Sequence, residues 1–230
     1  MKRAALIIFL IVLVDQILKF WIKTNMMLQE NIPMIGDWFN IYFIENKGMA
    51  FGLEIEGTYG KLFLSLFRIF ALGLIGWYLR SLILTKHSKW IITGMCLVFA
   101  GALGNIIDST FYGILFSAST TKTVAEFLPA VGYETLFHGN VVDMFYFPII
   151  KGYFPEWLPW VGGDFFIFFR PIFNIADASI SVGVVLAIIS HGGFFEKKVK
   201  PESSDEELRL SENGISSDIK GEITNQEQEG

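Results

Sequence analysis

Three aspartates, each inside or beside an apolar stretch, are the residues of this sequence best suited to do chemistry. They are Asp108 in the run GNIID, Asp143 in the run VVD and Asp177 in the run FNIAD. A carboxylate near lipid is unfavourable by a few kcal/mol or more, so such a group commonly has a function. A chain that brings several of them to one membrane depth is therefore expected to use them.

A pair of such carboxylates can hydrolyse a peptide bond. Like charges a few ångströms apart resist double ionisation, so the two groups share one proton, and burial raises carboxyl pKa values further. The ionised carboxylate can then act as a base on water, while the protonated one donates a hydrogen bond to the scissile carbonyl. The sequence therefore favours an aspartic-protease-like pair inside a membrane protein.

Other chemistries are open to these residues. A metal site could be built from four side chains: Asp108, Asp143, Asp177 and His138. A serine nucleophile is less favoured, because Ser109, Ser179 and Ser181 have no histidine nearby in sequence. A proton-coupled transporter would use the charges within the apolar stretches, although the sequence has no internal repeat typical of such carriers. A non-catalytic membrane scaffold is a further alternative.

Long apolar stretches must position these groups. The chain has 230 residues, of which 52% are hydrophobic and 18% charged, against about 25% charged in soluble domains. Four stretches approach the ~20 residues that cross a bilayer, and they lie at about 4–21, 62–79, 90–107 and 172–190. The sequence therefore predicts an all-α membrane protein with four spans. The first stretch has no small-x-small cleavage site after it, so an uncleaved span is favoured over a signal peptide.

Basic residues predict the orientation of these spans. Lys and Arg cluster before the first span, between the second and third, and after the fourth. Because such clusters stay on the cytoplasmic side, both termini are expected there, with outer loops at 24–60 and 108–171. Residues 1–195 form the predicted membrane domain. Residues 196–230 carry the entire net charge of −5 and are predicted to be a disordered acidic cytoplasmic tail.

The outer loops have a composition of their own. Residues 39–46 are rich in aromatic and β-branched residues and predict a strand, and a turn-rich segment follows. The second loop contains aromatic residues that suit a membrane interface, including Phe145, Trp157, Trp160, Phe165 and Phe169.

The rise per residue of a helix predicts that the three aspartates lie at a similar depth in the membrane. Asp108 closes the third span, and Asp177 lies about 8 Å inside the fourth. Asp143 follows in the outer loop, so all three can gather at the outer boundary. Asp15 lies about 12 Å deeper, at the depth of Arg68, and is expected to pair with either Arg68 or Lys19. An ion pair that shapes the site is favoured for Asp15 over a catalytic role.

Several of these residues also have plain structural interpretations. Asn105 and Asn174 could cap helices, and Asp108 could be a solvated helix-end residue. Gly101 and Gly104 are interpreted mainly as a small face for close helix packing. The single cysteine, Cys96, excludes an internal disulfide and is expected to be buried.

Five ordered motifs resemble those of the lipoprotein signal peptidases (signal peptidase II). They are DQILK from Asp15, NKGMAF from Asn46, GALGNIID ending at Asp108, VVD ending at Asp143 and FNIAD ending at Asp177. The resemblance implies an aspartic endopeptidase that removes signal peptides from diacylglyceryl-modified bacterial prolipoproteins, cutting before the lipidated cysteine. It implies Asp143 and Asp177 as the catalytic dyad. The implied supporting or substrate-binding residues are Asp15, Lys19, Asn46, Gly48, Asn105, Asp108 and Asn174.

The resemblance also implies a fold and a setting. The family fold is a four-transmembrane-helix bundle with a small extracytoplasmic β-sheet that cradles the substrate. The expected location is the bacterial inner membrane, with the active site near its outer face. A monomer in contact with membrane lipid is expected, without cofactor, metal or nucleic acid, and globomycin is an expected inhibitor.

Two departures from the family pattern stand out. Ser109 occupies the position where the family usually has arginine, so the role of that arginine is either lost or supplied by another residue such as Arg170. The stretch between Asp108 and Asp143 is also longer than usual and predicts an extra lid or surface excursion.

Overall fold

The computed structural model describes residues 1–47 and 58–191. The predictions for Gly48 and for the acidic tail lie outside the described residues. In chain order the helices are α1 (Lys2–Asn25), α2 (Thr58–Leu84), α3 (Lys89–Ile107), a π-helix (Asp108–Tyr112), α4 (Gly113–Leu115) and α5 (Ile175–His191). The strands are β1 (Asn31–Ile35), β2 (Phe39–Asn46), β3 (Val141–Tyr146), β4 (Ile150–Tyr153), β5 (Phe165–Phe168) and β6 (Ile172–Phe173).

Three helices of the described chain are long and apolar enough to cross a membrane. They are Lys2–Asn25, Gly60–Leu84 and Lys89–Leu115, in agreement with the first three predicted spans. The apolar part of α5, Ile175–Ser190, is shorter. The described chain therefore combines three helices that could span a membrane with a small antiparallel sheet.

The predicted start of the fourth span is wrong by three residues. Ile172 and Phe173 form β6 and pair with Tyr146 and Phe145 of β3, so the apolar run contains a strand before its helix. Asn174 then caps the helix, since its side-chain Oδ1 accepts a hydrogen bond from the Asp177 N–H at 2.9 Å. Asp177 consequently lies in the first turn of α5, rather than about 8 Å inside a span.

One face of helix α1 is polar and buried in the protein, and the opposite face is apolar and exposed. Its buried residues include Asp15, Lys19 and Lys23, which are spaced four apart and so lie on one face. Val14 and Ile17, by contrast, are 47% and 57% exposed. Charged side chains in membrane helices normally face the protein interior, where they find partners. The arrangement is therefore typical of a helix with lipid around it.

Helices α3 and α5 approach closely along a line of small residues. A Cβ atom at Gly101 would lie 2.2 Å from the Ala176 carbonyl oxygen, and one at Gly94 would lie 2.7 Å from the Gly183 carbonyl oxygen. Small residues allow this approach in membranes. The packing interpretation of Gly101 is therefore confirmed.

Replacing Gly101 by alanine should destabilise the protein by about 1–3 kcal/mol, the usual range for overpacking. Gly73→Ala in α2 is the matched control, because no atom lies within 4 Å of a Cβ there and alanine favours the helix. Cys96 is fully buried and gives a readout, since its thiol will react with a dye only on unfolding. Equal unfolding midpoints for the two variants would contradict the expectation.

The four-stranded antiparallel sheet has the order β1-β2-β3-β6, and β4 pairs with β5 separately. The predicted strand at 39–46 is confirmed as β2. In the β2–β3 pair Ile44 lies opposite Asp143, and Asn46 lies opposite Val141. Because side chains alternate along a strand, Asn46 and Asp143 share one face while Val142 lies on the other. The second face packs into a buried apolar cluster that includes Ile22, Phe43, Phe116, Ala125, Val142 and Met144.

Candidate active site

Asp143 and Asp177 line a single cavity of about 390 Å³. Its polar residues are Asn46, Arg68, Asn105, Asp143 and Asp177. Its remaining wall is apolar and comes mainly from the spanning helices: Ala71, Leu72, Ile75, Ala102, Ile106, Val141 and Ile180. The cavity therefore joins two carboxylates to a surface suited to an apolar ligand.

Asp143 projects from β3 and is almost fully buried. Its Oδ1 accepts a hydrogen bond from Asn174 Nδ2 at 2.6 Å, and its Oδ2 accepts one from Asn46 Nδ2 at 3.3 Å. Burial, followed by the negative charge of Asp177, raises the pKa of Asp143 to about 7. Asp143 can thus hold a proton near neutral pH, as one member of an acid–base pair must.

Asp177 occupies the N-terminal turn of α5. One carboxylate oxygen accepts from Asn105 Nδ2 at 2.8 Å, and the other accepts from the Asn174 N–H at 3.4 Å. The positive end of the helix dipole favours a carboxylate at this position. Asp177 is therefore set in a place that stabilises negative charge.

Two asparagines connect the carboxylates. Asn174 Nδ2 reaches Asp143 and also lies 3.2 Å from Asn105 Oδ1, while Asn105 in turn donates to Asp177. Asn174 thus both caps α5 and contacts Asp143. Both carboxylates are therefore held by one hydrogen-bonded series, which runs from Asp143 through Asn174 and Asn105 to Asp177.

A cluster of buried charged side chains lies next to these two asparagines. Lys19 Nζ is 2.9 Å from Asp15 Oδ2 and 2.8 Å from Asp108 Oδ2, and it donates to Asn105 Oδ1 at 2.9 Å. Asp15 therefore pairs with Lys19, one of its two expected partners. Asp15 Oδ1 also accepts from the Ala176 N–H at 2.9 Å. The cluster therefore links α1 to α3 and α5 by hydrogen bonds and ion pairs next to the asparagines.

Asp108 is completely buried, so its interpretation as a solvated helix-end residue is wrong. The helix does not end there but continues as a π-helix, a feature often found at functional sites. Asp108 accepts from Gln16 Nε2 at 2.9 Å and from the Val142 N–H at 3.2 Å. It therefore holds strand β3 next to the position of Asp143.

Arg68 lines the cavity, although it was not assigned to the site from the sequence. It was expected at the depth of Asp15 as a possible ion-pair partner, but its guanidinium Nη1 donates to Ser109 Oγ at 3.3 Å and lines the cavity. Arg170, the expected substitute for the missing family arginine, is exposed. An isolated arginine within an apolar span was the signal that could have identified Arg68.

The other candidate groups have local contacts. His138 Nδ1 lies 3.0 Å from Thr135 Oγ1 and 2.9 Å from the Leu136 carbonyl oxygen. Ser179 and Ser181 donate to helix carbonyls one turn earlier, at 2.8 and 3.0 Å. Within residues 1–47 and 58–191, no group of three or more His, Cys, Asp or Glu side chains has the geometry of a metal site.

Comparisons with known proteins agree on one family. The sequence model of Signal peptidase (SPase) II matches residues 7–192. The chain is 45% identical to the lipoprotein signal peptidase of Porphyromonas gingivalis (strain ATCC 33277), over 90% of this chain and 92% of that protein. It is 36% identical to the lipoprotein signal peptidase of Amoebophilus asiaticus (strain 5a2), over 88% of this chain and 84% of that protein.

A solved structure also resembles the fold. It is a bacterial membrane enzyme determined by the in meso method at 2.3 Å resolution, with a TM-score of 0.57 and 26% sequence identity. The match covers 87% of this chain and 94% of that one. Sequence and fold together lead to one conclusion: the chain belongs to the signal peptidase II family, a family of membrane peptidases that process lipoproteins.

Proposed function

We propose that the chain removes the signal peptide from diacylglyceryl-modified bacterial prolipoproteins, cutting before the lipidated cysteine, with Asp143 and Asp177 as its catalytic dyad. The observation that carries this proposal is the single cavity in which two carboxylates meet an apolar wall. A signal peptide and a diacylglyceryl group are both apolar, whereas the peptide bond between them needs polar catalysis. The family of the chain supports the same substrate.

Hydrolysis follows from the surroundings of the two acids. Asp177 acts as the base, since its carboxylate lies at a helix N-terminus, and takes a proton from a water molecule as the hydroxide oxygen bonds to the scissile carbonyl carbon. Protonated Asp143 donates a hydrogen bond to the carbonyl oxygen and stabilises the negative charge that develops there. Collapse of this intermediate breaks the C–N bond, and the amine leaves with a proton from the dyad.

The membrane setting is part of the proposal. The apolar helix α5 is the fourth span of the bundle, and the sheet β1-β2-β3-β6 forms the extracytoplasmic cradle over the site. Basic clusters before α1, between α2 and α3 and after α5 support a cytoplasmic location for both termini. The active site then lies near the outer face of the bacterial inner membrane, in a protein that can act as a monomer.

The direct test is to incubate the purified protein with a diacylglyceryl-modified prolipoprotein and measure release of the signal peptide by mass spectrometry. The unmodified prolipoprotein is the matched control. We expect cleavage of the lipidated substrate, a much slower reaction with the unmodified one, and inhibition by globomycin. Failure to cleave a verified lipidated substrate would overturn the proposal.

The pH dependence of the reaction should reflect the proton on Asp143. A carboxyl with a pKa of about 7 is protonated below that pH and ionised above it, so the hydrogen-bond donor is lost on the alkaline side. We expect kcat to fall about tenfold per pH unit above roughly pH 7. Asn46→Leu removes a hydrogen bond that lowers the pKa of Asp143, so its alkaline limb should move to higher pH. A rate that stays constant from pH 6 to 9 would contradict this assignment.

A further inference from the structure

Asn140 lies at a junction immediately before strand β3. Its side-chain Nδ2 donates to Glu45 Oε2 on β2 at 2.9 Å, and its Oδ1 accepts from Lys61 Nζ on α2 at 2.8 Å. Its backbone N–H donates to the Tyr133 hydroxyl at 2.7 Å. One side chain therefore connects a strand of the sheet to a spanning helix.

Glu45 is itself fixed from the opposite side. Its Oε1 is ion-paired with Lys23 of α1, whose side chain is fully buried. The Lys23 ammonium also donates to Ser119 Oγ at 2.9 Å and lies 4.7 Å from the centre of the Tyr133 ring. A buried charge needs such partners, and a fully satisfied one has little freedom to move. The position of Glu45 relative to α1 is thus well defined.

The residues immediately before Asn140 are also held in place by hydrogen bonds. Ser65 Oγ of α2 donates to the Phe137 carbonyl at 2.7 Å, and the Phe137 N–H donates to the Thr110 carbonyl at 3.0 Å. The Gly139 N–H donates to the Ser109 carbonyl at 2.9 Å. The end of the long stretch expected to be a lid or surface excursion is therefore bonded to both α2 and the π-helix.

These contacts link two walls of the cavity. Helix α2 contributes Arg68 and Leu72 to one wall, while the β2–β3 pair contributes Asn46 and Asp143 to another. We propose that Asn140 is a positioning residue that sets the spacing between helix α2 and strand β3 and thereby holds Asp143 in register with the substrate. The inference rests on the proposed catalytic role of Asp143, because Asn140 acts on the reaction through that residue.

The kinetic test is Asn140→Ala, which removes both side-chain hydrogen bonds and leaves the backbone one. A displacement of about 1 Å can reduce a rate by about 100-fold, so we expect kcat to fall 10- to 100-fold with less than a threefold change in KM. The alkaline limb of the pH profile should also move, since the surroundings of Asp143 change. Thr123→Ala, on an exposed turn of the same stretch, should leave all three quantities unchanged. Wild-type kcat and pH profile in Asn140→Ala, measured well below its unfolding midpoint, would overturn the inference.

Hydrogen exchange gives a readout that does not depend on activity. In Asn140→Ala, amides of residues 39–46 and 141–146 should exchange about tenfold faster, whereas those of α3 should not change. If the wild type cleaves nothing, the proposed function fails while this measurement still decides whether Asn140 holds the strands. If Asn140→Ala does not fold, Lys61→Met removes only the bond to α2, and unchanged exchange and kcat in that variant would overturn the inference.

Discussion

Asp143→Asn and Asp177→Asn are each expected to reduce signal-peptide cleavage by about 10³-fold or more, the size of effect seen when a catalytic acid or base is removed. Asparagine keeps the shape of the side chain but can neither take a proton from water nor carry one to the carbonyl. KM should change little, because the apolar wall that would bind the substrate is untouched. Initial rates with a lipidated prolipoprotein give the measurement.

The control for this pair is Asp164→Asn, an exposed aspartate next to strand β5. It makes the same chemical change away from the cavity and should retain the wild-type rate. The unfolding midpoint of Asp164→Asn should equal that of the wild type. Those of the dyad variants should stay well above the assay temperature, although an amide has one acceptor where each carboxylate here has two. Substantial cleavage by either dyad variant would exclude that aspartate from catalysis.

Lys19→Met is expected to destabilise the protein by about 3–5 kcal/mol, the usual result of removing one member of a buried ion cluster. The substitution keeps the length and apolar stem of the side chain. It leaves the carboxylates of Asp15 and Asp108, which are 1% and 0% exposed, facing each other without their shared cation. Activity should fall too, because Lys19 also holds Asn105, the amide that contacts Asp177.

Dye labelling of the buried Cys96 during heating can measure this loss. Lys2→Met is the matched control, since Lys2 belongs to the same helix but is exposed. We expect a wild-type midpoint for Lys2→Met and a much lower one for Lys19→Met. A small effect of Lys19→Met on the unfolding midpoint would contradict this expectation.

Much of the fold could be predicted because membrane helices depend on a simple property, the length of an apolar run. That property located α1, α2 and α3. It failed at Ile172 and Phe173, where a strand and a helix follow each other in one continuous apolar stretch, because hydropathy does not distinguish two buried elements. Strands β3 to β6 were likewise hidden in a segment described only as an aromatic-rich loop.

At the candidate site, too, the sequence predicted some residues and contacts but not others. Short motifs identified the polar residues that meet in the cavity with the exception of Arg68, because each motif is a continuous run of sequence. Depth along a helix, however, is one coordinate and does not say in which direction a side chain points. Arg68 and Lys19 were therefore equal candidates as partners for Asp15, and only the packing of α1 against α3 separates them. The role of Asn140 depends on contacts 79 and 95 residues apart, which no local pattern contains.

The ion pair on one face of α1 also bears on how the chain enters the bilayer during synthesis. Asp108 is made about 90 residues after Lys19, which corresponds to a delay of roughly 5–20 seconds at ~5–20 residues per second. An isolated charge at the centre of an inserting helix costs about 2.5–3.5 kcal/mol. Asp15 and Lys19 lie one turn apart, so α1 can insert as a locally neutral helix before α3 exists. Pairing within the helix thus lowers the free-energy cost of inserting α1, and in the folded protein the same lysine also pairs with Asp108 and links α1 to α3.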